Sequence, residues 1–339
     1  PGSRPLGNRA ESRAAHFASF PVRLAAFFKM PDSLVMVGSG ISKIPGLPER
    51  IVIDSQVQKL WGDQIGEPVA VVPSGEINKT PETVCRLWSA FARCATGRKN
   101  RIISYGGGVT GDLAGFAAAT WMRGIDWVNV PTTLLSAVDA STGGKTGCDL
   151  PEGKNLAGAF HAPRLVIVDA EFLTTLPERE LRSGRAEMIK HEIISGKLHP
   201  ASPSGIPSAA EIAENLSVKI GIVQSDPFER TGRRILLNCG HTVGHALEKI
   251  SGYGAISHGE AVAVGCVEEA RLAVRMGLAV GLMSWPRAFR RLDFLSRCRR
   301  ERILTRWCQI CAATKNATGI RWFSLCHADG AMSEKSRCI

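Results

Sequence analysis

An N-terminal α/β domain built on a parallel sheet, followed by a mostly α-helical domain, is the fold class that the sequence predicts. Three observations point there. Short apolar runs alternate with helical stretches between residues 34 and 169. Those runs stop after Asp169, and helical patterns take over. The composition is that of an ordinary globular chain, with 339 residues, 44% hydrophobic and 22% charged. This length accommodates two domains, and the composition excludes a disordered, collagenous or coiled-coil protein.

The elements follow in order. Residues 1–29 are rich in Arg, Ala and Ser and precede Met30, so they are set apart as a leader or a non-native extension. Leu34–Val37 and Arg50–Asp54 are apolar runs that end at polar or Gly positions, as buried strands do. Val69–Val72, Ile102–Tyr105, Trp127–Val130 and Leu165–Val168 repeat the pattern. Helical stretches at Pro81–Cys94 and Asp112–Met122 lie between them, the arrangement of a parallel sheet with crossover helices. Helices are then expected at Glu178–Ser195, Ala209–Gln224, His241–Ile250 and His258–Met276, with a Pro/Ser-rich loop at 200–208. The expected division is an α/β domain at 30–174, a helical domain at 175–280 and an atypical basic tail at 281–339.

Charge and cysteine narrow the partners. The net charge is +11, but residues 285–339 carry +8 and residues 1–30 carry +4, which leaves −1 for the body. Basic ends without a reading motif are solvated ends, so no nucleic-acid partner is expected. No run of eighteen apolar residues occurs, so no membrane span is expected either. Five of the ten cysteines fall in the last 42 residues, and Cys308-Gln-Ile-Cys311 has no second pair to complete a zinc site. The other five are scattered, which fits a reducing cytoplasm rather than a disulfide framework.

Three groups of residues carry chemistry. Gly106-Gly-Gly-Val-Thr-Gly-Asp112 follows a strand and opens a helix, where backbone N–H groups approach an anion. That position suits a dinucleotide pyrophosphate, although many ordinary turns share the composition. Asp54, at the end of an earlier strand, suits a ribose hydroxyl or a helix cap, and the pattern does not choose. In the rear half, His241 and His245 lie four apart on one helical face, and His258-Gly-Glu260 opens the next helix. A lone His is usually structural, but three of eight within 18 residues, with Glu187, suit a catalytic divalent metal. Finally, Arg123, Lys145, Lys154, Lys190, Lys219 and Arg234 are cations suited to phosphate or carboxylate, with ordinary surface charge as the alternative for any one of them.

Together these motifs resemble the 3-dehydroquinate synthases, members of the sugar phosphate cyclase family. The resemblance is carried by Gly106–Asp112, Pro131-Thr-Thr-Leu-Leu135, Val138-Asp139, Gly143-Gly-Lys145, Gly153-Lys-Asn155, Leu176–Leu181, Ala186–Lys190, Leu237–Ala246 and His258–Val262. It runs from about Val52 to about Gly277, and Pro73–Lys79 fits the family's nucleotide-binding stretch. It implies an α/β nucleotide-binding domain before a helical metal-binding domain, catalytic NAD and one divalent metal, zinc or cobalt. The implied reaction converts 3-deoxy-arabino-heptulosonate 7-phosphate to 3-dehydroquinate and phosphate, the second step of the shikimate route to chorismate and the aromatic amino acids. Its chemistry is transient oxidation of a substrate alcohol, elimination of phosphate, return of hydride, ring opening and aldol closure.

The resemblance also implies roles. Glu187, His241 and His258 would be metal ligands, with His245 on the phosphate and relaying protons. Lys145, Asn155, Lys190, Lys219, Arg234 and Asn238 would hold the substrate, and Arg123 would reach its phosphate across a homodimer interface. Asp139 and Lys154 would lie between nicotinamide and substrate. NAD would be bound by Asp54, Glu76, Lys79, Gly107, Gly108, Val109, Asp112, Thr132, Thr133 and Thr175. The segment Asp226–Arg234 is one residue longer than the family pattern, which leaves Arg233 as an alternative to Arg234.

Past residue 280 the family's closing Asp-Lys-Lys motif is missing. Reading the codons for Ala313–Gly319 in a shifted frame permits Asp-Lys-Lys-Arg-Asp-Gly, and the same shift near Arg290–Ser296 permits Leu-Gly-Leu-Pro. A frameshift near residues 279–284 is the expectation, with impaired activity and an exposed apolar face as its consequence. The alternatives are another sugar phosphate cyclase, a relative of the metal-dependent alcohol dehydrogenases, or an inactive copy that still binds NAD or dimerises.

Overall fold

The computed structural model describes residues 23–42, 49–196, 205–251 and 255–275. The tail, its frame and most of segment 1–29 lie outside the described residues, as do residues 200–204 of the expected loop and Met276 of the last expected helix. By its internal packing the chain forms two units. Among the described residues, one unit lies within 23–176 and 206–224, and the other within 177–205 and 225–275. A single division near residue 175 makes no provision for the return of 206–224 to the first unit.

The first unit is built on a seven-stranded sheet. Its strands are β1 (Arg23–Lys29), β2 (Leu34–Ser39), β3 (Glu49–Asp54), β4 (Ala70–Val72), β5 (Arg101–Gly106), β6 (Trp127–Pro131) and β9 (Leu165–Asp169). Their order is β1-β2-β9-β6-β5-β3-β4. All neighbours are parallel except β1, which pairs antiparallel with β2. Part of the segment set apart as an extension is therefore an edge strand. Its Leu24 and Phe27 are about half exposed, so it lacks the buried apolar signature of its neighbours.

Successive residues of a strand face opposite ways, and the core obeys this. Val52 and Ile102 pack on one side with Val84, Leu87 and Phe91 of α2 (Pro81–Arg93) and Leu113 of α3 (Gly108–Thr120). Ile53 and Ile103 face the other side with Val57 of α1 (Ser55–Ile65) and Phe172. The chain leaves β3 outward to β4 and returns to β5 on the opposite side of β3. Such a reversal opens a crevice at the carboxyl ends of the strands, here Asp54 and Gly106.

Two features differ from the sequence expectation. Helix α3 starts at Gly108 rather than Asp112, so the last glycine of the run opens the first helical turn. It ends before Met122, whose φ of 50° is left-handed. An antiparallel hairpin, β7 (Lys145–Leu150) and β8 (Gly153–Phe160), was also unexpected. Its glycines permit close strands: a Cβ at Gly147 would sit 2.6 Å from the Ala157 carbonyl oxygen. Helix α5 (Ala209–Ser225) completes the unit.

The second unit contains α4 (Glu178–Ser195), α6 (His241–Ser251) and α7 (His258–Arg275). Ala186 and Ile189 of α4 pack on Val262, Ala263, Cys266 and Val267 of α7. Val243 and Leu247 of α6 pack on Ala261 and Val264 of the same helix. Among the described residues, no helix is long and apolar enough to cross a membrane.

Candidate active site

At the switch point of the first unit, the backbone of Gly106–Gly108 turns into α3 and presents the helix N-terminus. Thr132 and Thr133 follow the adjacent β6, and a Cβ on Gly107 would come within 3.0 Å of Thr133. The absent side chains keep this turn open to a ligand's phosphates, so the cradle fits a dinucleotide. Asp54 is the N-cap of α1: its Oδ1 accepts from the Gln56 and Val57 backbone N–H groups at 2.8 and 3.3 Å. The same oxygen accepts from Ser74 Oγ at 2.6 Å. The capping geometry left open by the sequence is thus present.

Beside the turn lies a network that joins several expected residues. Lys79 is buried and donates to Asp112 Oδ2 at 2.7 Å and to Asn155 Oδ1. Burial works against the ammonium charge, but Asp112, Glu76 and Asp149 outweigh it and raise the Lys79 pKa. Lys154 pairs with Glu76 at 3.1 Å. Asn155 has a left-handed φ of 55°, and its N–H donates to Asp149 Oδ1 at 2.7 Å. Asp149 in turn donates its own N–H to the Lys79 carbonyl. It ties the hairpin to the Lys79 loop, yet no motif singled it out.

Lys219 of α5 explains the return of 206–224. Its buried Nζ donates to Asp139 Oδ1 at 2.6 Å and to the Asp139 carbonyl. Asp139 sits in a short π-helical turn, Ser136–Ala140, and Gln224 donates to the Lys29 carbonyl at 2.8 Å. Lys145 begins β7 and is exposed, Val109 lies in the first turn of α3, and Thr175 accepts from Trp61 Nε1 at 3.0 Å. Arg123 is exposed, with φ 71°, beyond the end of α3.

In the second unit, Glu187, His241 and His258 converge. Glu187 Oε1 lies 3.7 Å from His258 Nε2 and 4.0 Å from His241 Nε2. Tetrahedral zinc bonds of about 2.0–2.2 Å put neighbouring ligand atoms roughly 3.4 Å apart. The acid-and-two-imidazole set therefore fits one divalent ion. Glycine brings the three helices together. Gly244 of α6 lies against the backbone of Ala261 and Val262, and Gly265 of α7 lies against Gly240 and Gly244. Gly259, next to His258, lies against Ser183 of α4, four residues before Glu187, and donates its N–H to the Ser183 hydroxyl at 3.1 Å. A Cβ at any of these contacts would force the ligand-bearing backbones apart.

The remaining expected residues are placed as follows. Lys190 is buried, pairs with Glu187 and donates to the Leu237 carbonyl at 2.9 Å. His245 is exposed, its ring 5.2 Å from that of His241 and 5.9 Å from that of His258. Asn238 is exposed at the end of the 3₁₀ turn Arg233–Asn238. Arg234 is buried and donates to the Pro227 carbonyl at 2.7 Å, with Glu229 also beside it, whereas the alternative Arg233 is exposed. Asp226 braces this segment by accepting from the N–H groups of Arg230, Thr231 and Arg234 at 2.8, 3.2 and 3.2 Å. Burial pushes the Asp226 carboxyl up, but these backbone donors prevail and hold its pKa at about 2.

Two family models match the chain. The N-terminal model of 3-dehydroquinate synthase matches residues 69–183, and the C-terminal model matches residues 184–291. A 3-dehydroquinate synthase of Xanthomonas campestris pv. campestris is 49% identical over 231 residues, covering 64% of this chain and 62% of the relative. The chain therefore spans less than two thirds of that relative's length. A 3-dehydroquinate synthase of Symbiobacterium thermophilum is 43% identical over 276 residues, covering 72% of this chain and 76% of the relative. Among solved structures, a 2-epi-5-epi-valiolone synthase from Streptomyces hygroscopicus with NAD+ and Zn2+ bound superposes with a TM-score of 0.70. It is 28% identical and covers 80% of this chain and 82% of its own.

Proposed function

The chain belongs to the 3-dehydroquinate synthase family, and from that membership we propose that it cyclises 3-deoxy-arabino-heptulosonate 7-phosphate to 3-dehydroquinate with release of phosphate. The observation that carries the reading is the convergence of Glu187, His241 and His258 in a chain of this family. NAD would supply a reversible hydride acceptor, and the divalent ion, zinc or cobalt, a Lewis acid toward substrate oxygens. The first unit, with β1 and residues 206–224, is the NAD-binding part of the proposal, and the second unit the metal-binding part.

The residues of this chain do the holding. The Gly106–Gly108 turn with Thr132, Thr133 and Val109 offers backbone and hydroxyl donors to the pyrophosphate. Lys79, paired with Asp112, fixes the wall of that site, with Asp54, Glu76, Asp139, Lys154 and Thr175 as further cofactor contacts. Lys145, Asn155, Lys190, Lys219, Arg234 and Asn238 hold the substrate's phosphate, carboxylate and hydroxyls, and His245 passes protons at the phosphate. Arg123, exposed on its strained turn, serves the site of a second copy in a homodimer. The working location is the cytoplasm. The tail as written lowers activity, because the closing lysine is absent from it.

The test is phosphate release from 3-deoxy-arabino-heptulosonate 7-phosphate with NAD and zinc or cobalt. The expected outcome is phosphate without accumulation of NADH. Stoichiometric NADH would identify a dehydrogenase instead. Turnover only of a sugar phosphate lacking the carboxylate would favour the second reading, another sugar phosphate cyclase, which the likeness to the valiolone synthase keeps in view.

A further inference from the structure

We propose that Glu248 is a positioning residue for the metal centre: it grips His258 by Nδ1 and so aims Nε2 at the ion. The inference rests on the metal reading of Glu187, His241 and His258.

An imidazole ligates through one nitrogen, and the bond made by the other nitrogen decides which. Both histidines solve this in the same sense. His241 Nδ1 lies 3.2 Å from the Cys239 carbonyl, while its Nε2 faces Glu187 Oε1. Nδ1–H donates to that carbonyl oxygen, so Nε2 carries the lone pair. His258 has Nδ1 3.3 Å from Glu248 Oε2 and Nε2 3.7 Å from Glu187 Oε1. The carboxylate accepts from Nδ1–H and again leaves the lone pair on Nε2.

The two anchors differ in origin. For His241 it is backbone two residues away. His258 is the first residue of α7 and its side chain is 29% exposed, so its anchor comes from another helix. Glu248 lies on α6, two turns beyond His241, and its side chain is 6% exposed. A carboxylate behind a ligating imidazole fixes the ring and strengthens its donor nitrogen, and losing one typically costs about 10–100-fold in metal affinity. His245, Glu248 and His258 also lie close enough to hold an ion of their own. A Glu248 carboxylate spent on a second ion would not serve as the acceptor that fixes His258, so the two assignments compete.

The experiment uses the full chain, stripped with a chelator and titrated with Co2+, followed by its visible d–d absorption and by competition for the ion. E248Q keeps a carbonyl acceptor of the same shape, E248L removes the acceptor, and near-UV circular dichroism reports folding. Cobalt affinity is expected to fall about 10-fold in E248Q and about 100-fold in E248L. The d–d band of loaded E248Q should also shift, which a merely structural role for Glu248 would not produce. Parent affinity and spectrum in folded E248Q overturn the positioning role alone. Two cobalt equivalents in the parent, with only one lost in E248Q, overturn it in favour of a second ion. A parent whose cobalt binding is absent, or unchanged in E187Q, overturns the metal reading and the positioning role with it.

Discussion

Asp226 shows how one carboxylate can hold a functional segment. It gathers three backbone N–H groups of the turn that leads into buried Arg234. Its folded pKa, about 2, lies below the roughly 3.9 of an unfolded aspartate. The stabilisation is therefore fully present above about pH 4 and is lost as pH falls towards 2. Asp226→Asn should lower the urea midpoint at pH 7, and the gap to the parent should narrow steadily below pH 4. A gap independent of pH would assign the effect to something other than the charge. The sequence marked Arg234 and left Arg233 as its alternative. Burial separates the two, and Asp226, eight residues upstream of Arg234, was not readable as the brace.

At the scale of elements, small residues govern the rear unit. Gly240, just before α6, and Gly244 within it face Ala261 and Gly265 of α7, at the same spacing of four. The backbones touch along this line, which sets the depth at which His241 and His258 meet Glu187. A Cβ at Gly265 would collide with the Gly240 carbonyl. Gly265→Ala should destabilise the chain by about 1–3 kcal/mol in chemical denaturation and should weaken Co2+ binding at the same time. Loss of stability with unchanged cobalt affinity would separate helix packing from ligand placement. In the front unit, the apolar strands β2, β3, β5, β6 and β9 were legible because both faces are buried. Strand β1 and the β7–β8 hairpin were not, since one is a half-exposed edge and the other is glycine-rich.

For the whole molecule, the frameshift expectation makes the tail the part to test. The written tail lacks the closing motif, and a shifted frame permits it. The frame-corrected chain should release phosphate at least ten times faster than the written one, at matched zinc and NAD, in a continuous phosphate assay. Equal rates would refute the frameshift expectation, as would gene sequence across residues 279–284 that supports the present frame with a matching intact mass.

The sequence by itself determined the α/β-then-helical order, the glycine turn after a strand and the identity of the acid and imidazole set. The first two are local patterns, set by side-chain periodicity or by spacing within one element, whereas the third spans three helices and was supplied by the resemblance to the family. Tertiary structure decided what needs distant residues to meet: the strand order that makes β3 and β5 a switch point, the grip of Lys219 on Asp139, and Glu248 behind His258. Those partners are 80 and 10 residues apart, on separate elements. Only the packing of backbone against backbone, where glycine leaves room, fixes which side chains come within bonding distance.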